Sequence, residues 1–145
     1  MNTNISNEVS DGLKTQFIKH FELLFKQLVI LTDKVPQNLL KKKIIDKTIL
    51  YRAYHILEAI EFYIGVNPED MEWGKRMNIT WGVDREEAVD NKMQNYTINQ
   101  LKQYSDEIKE STFNVISNEN FMNTTNFNWI DNNIDRFTYI LRHSN

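Results

Sequence analysis

The stretch that decides the fold is DKTILYRAYHILEAIEFYIG, from Asp46 to Gly65. In this part of the chain aliphatic residues recur at steps of three and four, at Ile45, Ile49, Ala53, Ile56, Ile60 and Ile64. That spacing places them on one face of an α-helix, and a following glycine is typical of a helix end. We therefore predict a helix that ends at Ile64 and begins near either Gln37 or Asp46.

Three further segments show the same period. The first runs from about Asp11 to Leu31 and ends before Pro36, which lacks a backbone N–H. The second follows Thr97, a favourable N-cap residue, and runs to about Ser117. The third has apolar residues at steps of four, three and four, at Ile130, Ile134, Phe137 and Leu141. Four amphipathic helices without an alternating strand predict an all-α fold, a four-helix bundle.

The segment between the second and third predicted helices, residues 66–96, shows no sustained period. It contains Pro68 and two Trp-Gly pairs, which begin at Trp73 and Trp81. A connection of this length is unusual in a compact domain and tends to be functional or to contain short elements. We expect a long irregular loop that covers part of the molecule, and a last helix that is short beside the second.

Length and composition set further bounds. The chain has 145 residues, which predicts one domain over residues 1–145, with the polar residues 1–10 disordered. Its net charge of −3 makes nucleic acid a poor partner, because binding phosphates requires a basic surface. Its lack of cysteine excludes thiolate ligands and disulfides. With neither a signal-like start nor a long apolar run, we predict a cytoplasmic protein with no membrane partner.

Few residues carry recognisable chemistry. The sequence lacks a Gly-rich phosphate loop, a Gly-x-Ser-x-Gly elbow and a His-Glu-x-x-His motif. Of the three histidines, His20 is typical of a surface residue. His55 and His143 each fall on a helix flank that carries tyrosine, where imidazoles can converge on a metal ion. A structural role is the commoner explanation of such histidines, so spacing alone leaves both interpretations open.

Charged residues offer weaker candidates. The pairs Glu58/Glu61 and Glu86/Glu87 are more typical of a solvated helix face than of acid–base chemistry. Arg52 and Arg142 each lie near a histidine in the sequence and are suited to holding an anionic group with two hydrogen bonds. They are equally suited to capping carbonyls or pairing with glutamate.

The segment from Tyr51 to Ile64 resembles the second helix of the DinB/YfiT-like superfamily, in which a metal-binding histidine precedes an Ile-Leu pair. Leu141-Arg142-His143-Ser144 resembles the start of that family's last motif, an Arg-His step followed by a second histidine one turn later. The resemblance implies a four-helix bundle around zinc or nickel, bound by three histidines with one open position. His55 and His143 match two of these ligands.

The third ligand would lie four residues past His143, and the sequence ends two residues past it. We expect a last helix that is truncated, as in a fragment whose reading frame continues. Because such a helix leaves part of the core uncovered, we also expect a homodimer.

The resemblance implies a divalent-metal-dependent transferase or hydrolase, similar to thiol transferases, that acts on a small-molecule substrate with an incomplete histidine triad. The residues expected to line its pocket are Tyr51, Phe62, Trp73, Trp81, Tyr139 and Arg142. The alternative is a metal-free helical module that binds a partner or self-assembles without catalysis.

Overall fold

The computed structural model describes residues 7–144 and is mostly helical, which confirms the all-α class. Its α-helices are α1 (Asn7–Lys34), α2 (Gln37–Leu40), α3 (Ile49–Ile64), α4 (Glu86–Asn95), α5 (Ile98–Asn118) and α6 (Asn133–Ser144). A small antiparallel hairpin, β1 (Lys43–Ile44) and β2 (Lys47–Thr48), precedes α3. Short 3-10 turns lie at Pro68–Asp70 and Lys75–Met77. Within residues 7–144, none of the helices has the length and apolar character needed to cross a membrane.

The four longest helices pack around a shared apolar core. Helix α1 contacts α5 and α6, and α3 contacts the same two helices from the other side. Side chains from all four helices are fully buried where they meet: Phe21, Leu57, Ile60, Ile116 and Phe137 are each 0% exposed. This packing sets α3 and α6 side by side, and these are the helices that carry His55 and His143.

Helix starts follow from capping side chains. Helix α3 begins at Ile49 because the Thr48 hydroxyl accepts a hydrogen bond from the Tyr51 N–H at 3.0 Å. Both predicted starts are therefore wrong: the residues from Gln37 form the separate helix α2, and the hairpin follows it. The predicted N-cap at Thr97 is confirmed, since Thr97 forms a capping box with Gln100.

Two other predicted boundaries need correction. Helix α1 begins at Asn7, so residues 7–10 of the segment expected to be disordered are helical, and residues 1–6 lie outside the described part of the chain. The last helix begins at Asn133 rather than Ile130, because the Asn132 side chain accepts a hydrogen bond from the Asp135 N–H at 3.0 Å. The described part of α6 has 12 residues.

The predicted long irregular loop is wrong in part. Residues 66–96 contain the two 3-10 turns and the 10-residue helix α4, which buries Val89 and Met93. These two residues lie four positions apart, so only one short apolar stripe marks the helix in the sequence. The connection therefore consists of short elements: turns and 3-10 helices come first, and helix α4 follows them.

The hairpin tip is strained. Ile45 has φ +67° and a side chain that is 95% exposed. In this left-handed region the backbone conformation of a β-branched residue is unfavourable by about 1–2 kcal/mol, whereas glycine adopts it without that penalty. We therefore expect Ile45→Gly to raise the free energy of unfolding by about 1 kcal/mol in urea denaturation, after the greater chain entropy of glycine is allowed for. Ile44→Gly, in the extended strand β1, should instead lower it, and a loss in both variants would contradict this account.

Candidate functional site

His55 lies at the surface of α3 between aromatic rings. Its imidazole stacks on Tyr51, one turn earlier, with centroids 6.2 Å apart, and its centroid lies 6.3 Å from that of Trp73. Tyr51 in turn meets the edge of Trp81 at 6.3 Å. The segment after α3 thus folds back so that Trp73 lies beside the histidine and Trp81 lies beside Tyr51.

His143 lies on α6 in a similar environment. Its ring stacks on Tyr139, one turn earlier, at a centroid distance of 5.6 Å, and meets Tyr63 of α3 at 6.3 Å. The two tyrosines contact each other at 4.9 Å. Burial raises the pKa of Tyr63 to about 12, so its phenol stays neutral at physiological pH. The guanidinium of Arg142 lies 5.8 Å from the Tyr139 ring.

The two histidines lie on helices that pack against each other, α3 and α6, and other rings lie between them. Partial burial, and secondly the positive charge of His143, lower the pKa of His55 below its usual value. A continuous series of rings also connects them: Trp73 meets Phe62 at 5.1 Å, and Phe62 meets Tyr63 at 4.8 Å. A lowered pKa favours the neutral imidazole, which is the form that binds a metal ion.

The rings around the histidines form one surface, which we call the aromatic surface. It comprises Tyr51, Phe62, Tyr63, Trp73, Trp81, Trp129 and Tyr139. Its three tryptophans remain partly open to solvent, with Trp73 38%, Trp81 41% and Trp129 53% exposed. Large aromatic side chains that stay exposed together are unusual on a protein surface and are typical of a binding site.

Glu58 positions this surface, and the prediction that it lies on a solvated face is wrong. Glu58 is only 2% exposed. Its Oε2 accepts hydrogen bonds from the Tyr54 hydroxyl at 3.0 Å and from the Gly74 N–H at 2.7 Å. The second bond holds the chain directly after Trp73, the tryptophan that lies beside His55. Burial raises the pKa of the Glu58 carboxyl.

This raised pKa predicts a pH effect on stability. As the pH rises above the ordinary glutamate value, the unfolded chain loses its proton first, so ionisation of Glu58 disfavours the folded state. In Glu58→Gln the amide oxygen accepts the same two hydrogen bonds without a charge. We expect the unfolding free energy of the variant, relative to the original protein, to increase between about pH 4 and pH 7 in urea denaturation. A relative decrease over that interval would contradict the assignment.

The structure brings together most of the residues expected to line a pocket. Around His55, Tyr51 and Trp73 contact the imidazole, and Trp81 contacts Tyr51. Around His143, Tyr139 contacts the imidazole, and Arg142 lies over the Tyr139 ring. Phe62 lies between Trp73 and Tyr63. Arg52 is elsewhere, because it donates to the Ile44 carbonyl at 3.1 Å and pairs with Asp46 at the hairpin.

Glu86 and Glu87 form the exposed first turn of α4. Sequence reasoning named Glu58 only as a weak candidate and missed two residues of the site, Tyr63 and Trp129. The only signal for these residues in the sequence is the group of aromatic residues near Tyr63. The positions of Glu58 and Trp129 depend on contacts with other parts of the fold.

The site offers two nitrogen ligands. Among residues 7–144, no three His, Cys, Asp or Glu side chains lie together in a way that could hold a metal ion. No protein-family model, curated protein or solved structure matches the chain. The chemistry of the two imidazoles and the aromatic surface is therefore the ground for assigning a function.

Proposed function

We propose that the protein is a divalent-metal-dependent transferase or hydrolase with a DinB/YfiT-like four-helix bundle, in which His55 and His143 bind zinc or nickel. The observation that carries this proposal is the placement of two imidazoles, on the packed helices α3 and α6, within one aromatic surface. Imidazole nitrogen is a preferred ligand of both metals. His20, on α1, has no ring contact with either histidine.

Two imidazole ligands suit a metal ion that keeps some of its coordination positions open. Catalytic zinc sites usually have three protein ligands, so two imidazoles predict weaker binding, with the other positions taken by water or substrate. When bound, the metal supplies a Lewis acid that lowers the pKa of a coordinated water or thiol.

The chain's own groups would bind and orient a small molecule. The exposed faces of Trp73 and Trp129 would cover its apolar part. The exposed Arg142 would pair with an anionic group. These roles are consistent with the thiol-bearing substrates of the family that the sequence resembles.

Calorimetric titration with Zn²⁺ and Ni²⁺ tests the proposal. We expect one site with a dissociation constant below about 1 mM that is lost in His55→Ala. His20→Ala is the matched control and should bind as the original protein does, because His20 is exposed on a different helix. Binding no tighter than about 1 mM, or binding unchanged in His55→Ala, would contradict the proposal.

A second candidate is a metal-free module that self-associates as a homodimer. Exposed apolar side chains on helix α1 support this candidate, since Leu23, Val29 and Ile30 are 50%, 42% and 48% exposed. Burying such side chains against a second copy would stabilise a dimer. Light scattering over a range of concentrations tests this candidate, and a monomer at every concentration would contradict it.

A further inference from the structure

A cavity lies on the opposite side of α3 from His55. It has a volume of about 210 Å³ and lies between α1, α3 and α5. Its walls include Leu28, Leu57 and Leu101, which are 7%, 0% and 2% exposed. Leu57 follows His55 by two residues, about 200° around the helix, so the cavity is separate from the aromatic surface.

One polar side chain faces this cavity. Ser105 is 6% exposed and lines the cavity, and its hydroxyl makes no hydrogen bond within the described part of the chain. A helical hydroxyl commonly donates to the carbonyl four residues earlier, as Thr112 does to Ile108 at 2.6 Å in the same helix. A hydroxyl that faces a cavity without a protein partner is available to hydrogen-bond to the polar group of a ligand.

The free charge beside the cavity is negative. Lys102 and Asp106 both line it. The ammonium of Lys102 is already paired with Asp33. Asp106 is exposed and forms neither an ion pair nor a hydrogen bond with any other described residue. A cationic group would therefore be favoured at this position over an anionic one.

The volume limits the ligand to a small molecule. An apolar protein cavity of about 150 Å³ holds one benzene ring, so this cavity has room for a ring and a few further atoms. We propose that it binds a small apolar amine. The hydrocarbon packs against the three leucines, and the ammonium donates hydrogen bonds to the Ser105 hydroxyl and the Asp106 carboxylate.

Titration of the full chain with benzylamine, followed by NMR, tests the proposal. We expect saturable shifts of the methyl groups of Leu28, Leu57 and Leu101. Benzyl alcohol, which has the same shape without the charge, should bind about threefold more weakly at low salt, and benzoate more weakly still. Shifts confined to the aromatic surface, no saturable shift, or benzoate binding as tightly as benzylamine would overturn the proposal.

Four variants separate charge from shape. Asp106→Asn should remove the preference for benzylamine over benzyl alcohol, whereas Glu110→Gln, one turn later on α5 and outside the cavity lining, should keep it. Ser105→Leu should fill the cavity and abolish binding of both ligands. Val29→Phe, at an exposed position of the lining, should obstruct the cavity without changing the core. Unchanged affinity in a folded Ser105→Leu or Val29→Phe protein would overturn the proposal.

Discussion

Gly74→Ala is expected to lower the free energy of unfolding by about 3 kcal/mol. Gly74 has φ +83°, and a Cβ at this position would lie 2.7 Å from the Ile79 carbonyl oxygen and 2.8 Å from the Trp81 Nε1. The left-handed conformation costs an L-residue about 1–2 kcal/mol, and the overpacking adds about 1–3 kcal/mol. The Ile79 oxygen belongs to the backbone and cannot rotate away, so the turn itself must move.

Gly82→Ala is the matched control for this prediction. Gly82 also has φ +83°, but an added Cβ would meet no atom within 4 Å. It should therefore lose only the conformational part, about 1–2 kcal/mol. Urea denaturation of both variants measures the difference. Equal losses would show that the space around Gly74 is not as restricted as the structure indicates.

The expected damage at Gly74 extends to the candidate site. The Gly74 N–H donates to Glu58, and its carbonyl accepts from the N–H groups of Met77 and Ile79 at 3.1 and 2.9 Å. A displaced turn would move Trp73 and Trp81, which lie beside His55 and Tyr51. Gly74→Ala should thus perturb the tryptophan fluorescence of the folded state, whereas Gly82→Ala should not.

His55→Ala and His143→Ala are each expected to weaken zinc binding by about tenfold or more. Residues that only hydrogen-bond to a metal ligand already change metal affinity by about 10–100-fold, and loss of a ligand itself should have at least that effect. The double variant should lose little beyond either single variant. Once one imidazole is gone, a single remaining ligand contributes little, so the two losses are not additive.

This double-mutant cycle separates a shared ion from two independent sites. Two histidines that bound separate ions would give two sites in the original protein, and each single variant would lose one site and keep the other at its original affinity. His20→Ala should leave the affinity unchanged, since its side chain is exposed on α1. A second site that persists at its original affinity in either single variant would contradict a shared ion, whereas loss of the one site in both single variants would support it.

Much of the helical framework is predictable from the sequence. The end of α3 before Gly65 follows from the regular aliphatic spacing, and the start of α5 follows from the Thr97 cap. Both signals are local, so they need no knowledge of the rest of the fold. The start of α3 was harder to locate, because Ile45 extends the helical spacing into what is the hairpin tip, at a backbone angle that isoleucine rarely adopts.

The candidate site depends more on tertiary packing. Histidines on tyrosine-bearing flanks are visible in the sequence, and each stacks on the tyrosine one turn earlier in its helix. The role of Glu58 is not visible, because its partner Gly74 lies 16 residues away in a segment without a sustained period. Trp129 meets Phe62 only through the packing of the connection before α6. Contacts of this kind leave no periodic signal in the chain.

Pulsed electron paramagnetic resonance of the Cu²⁺-loaded protein would test the central claim most directly, because it counts the imidazole nitrogens bound to one ion. Copper(II) binds imidazole more strongly than zinc does and so reports on the same ligands. We expect two coordinated imidazoles in the original protein and in His20→Ala, and one in His55→Ala or His143→Ala. A single imidazole in the original protein, or two that persist in His55→Ala, would contradict a site shared by α3 and α6.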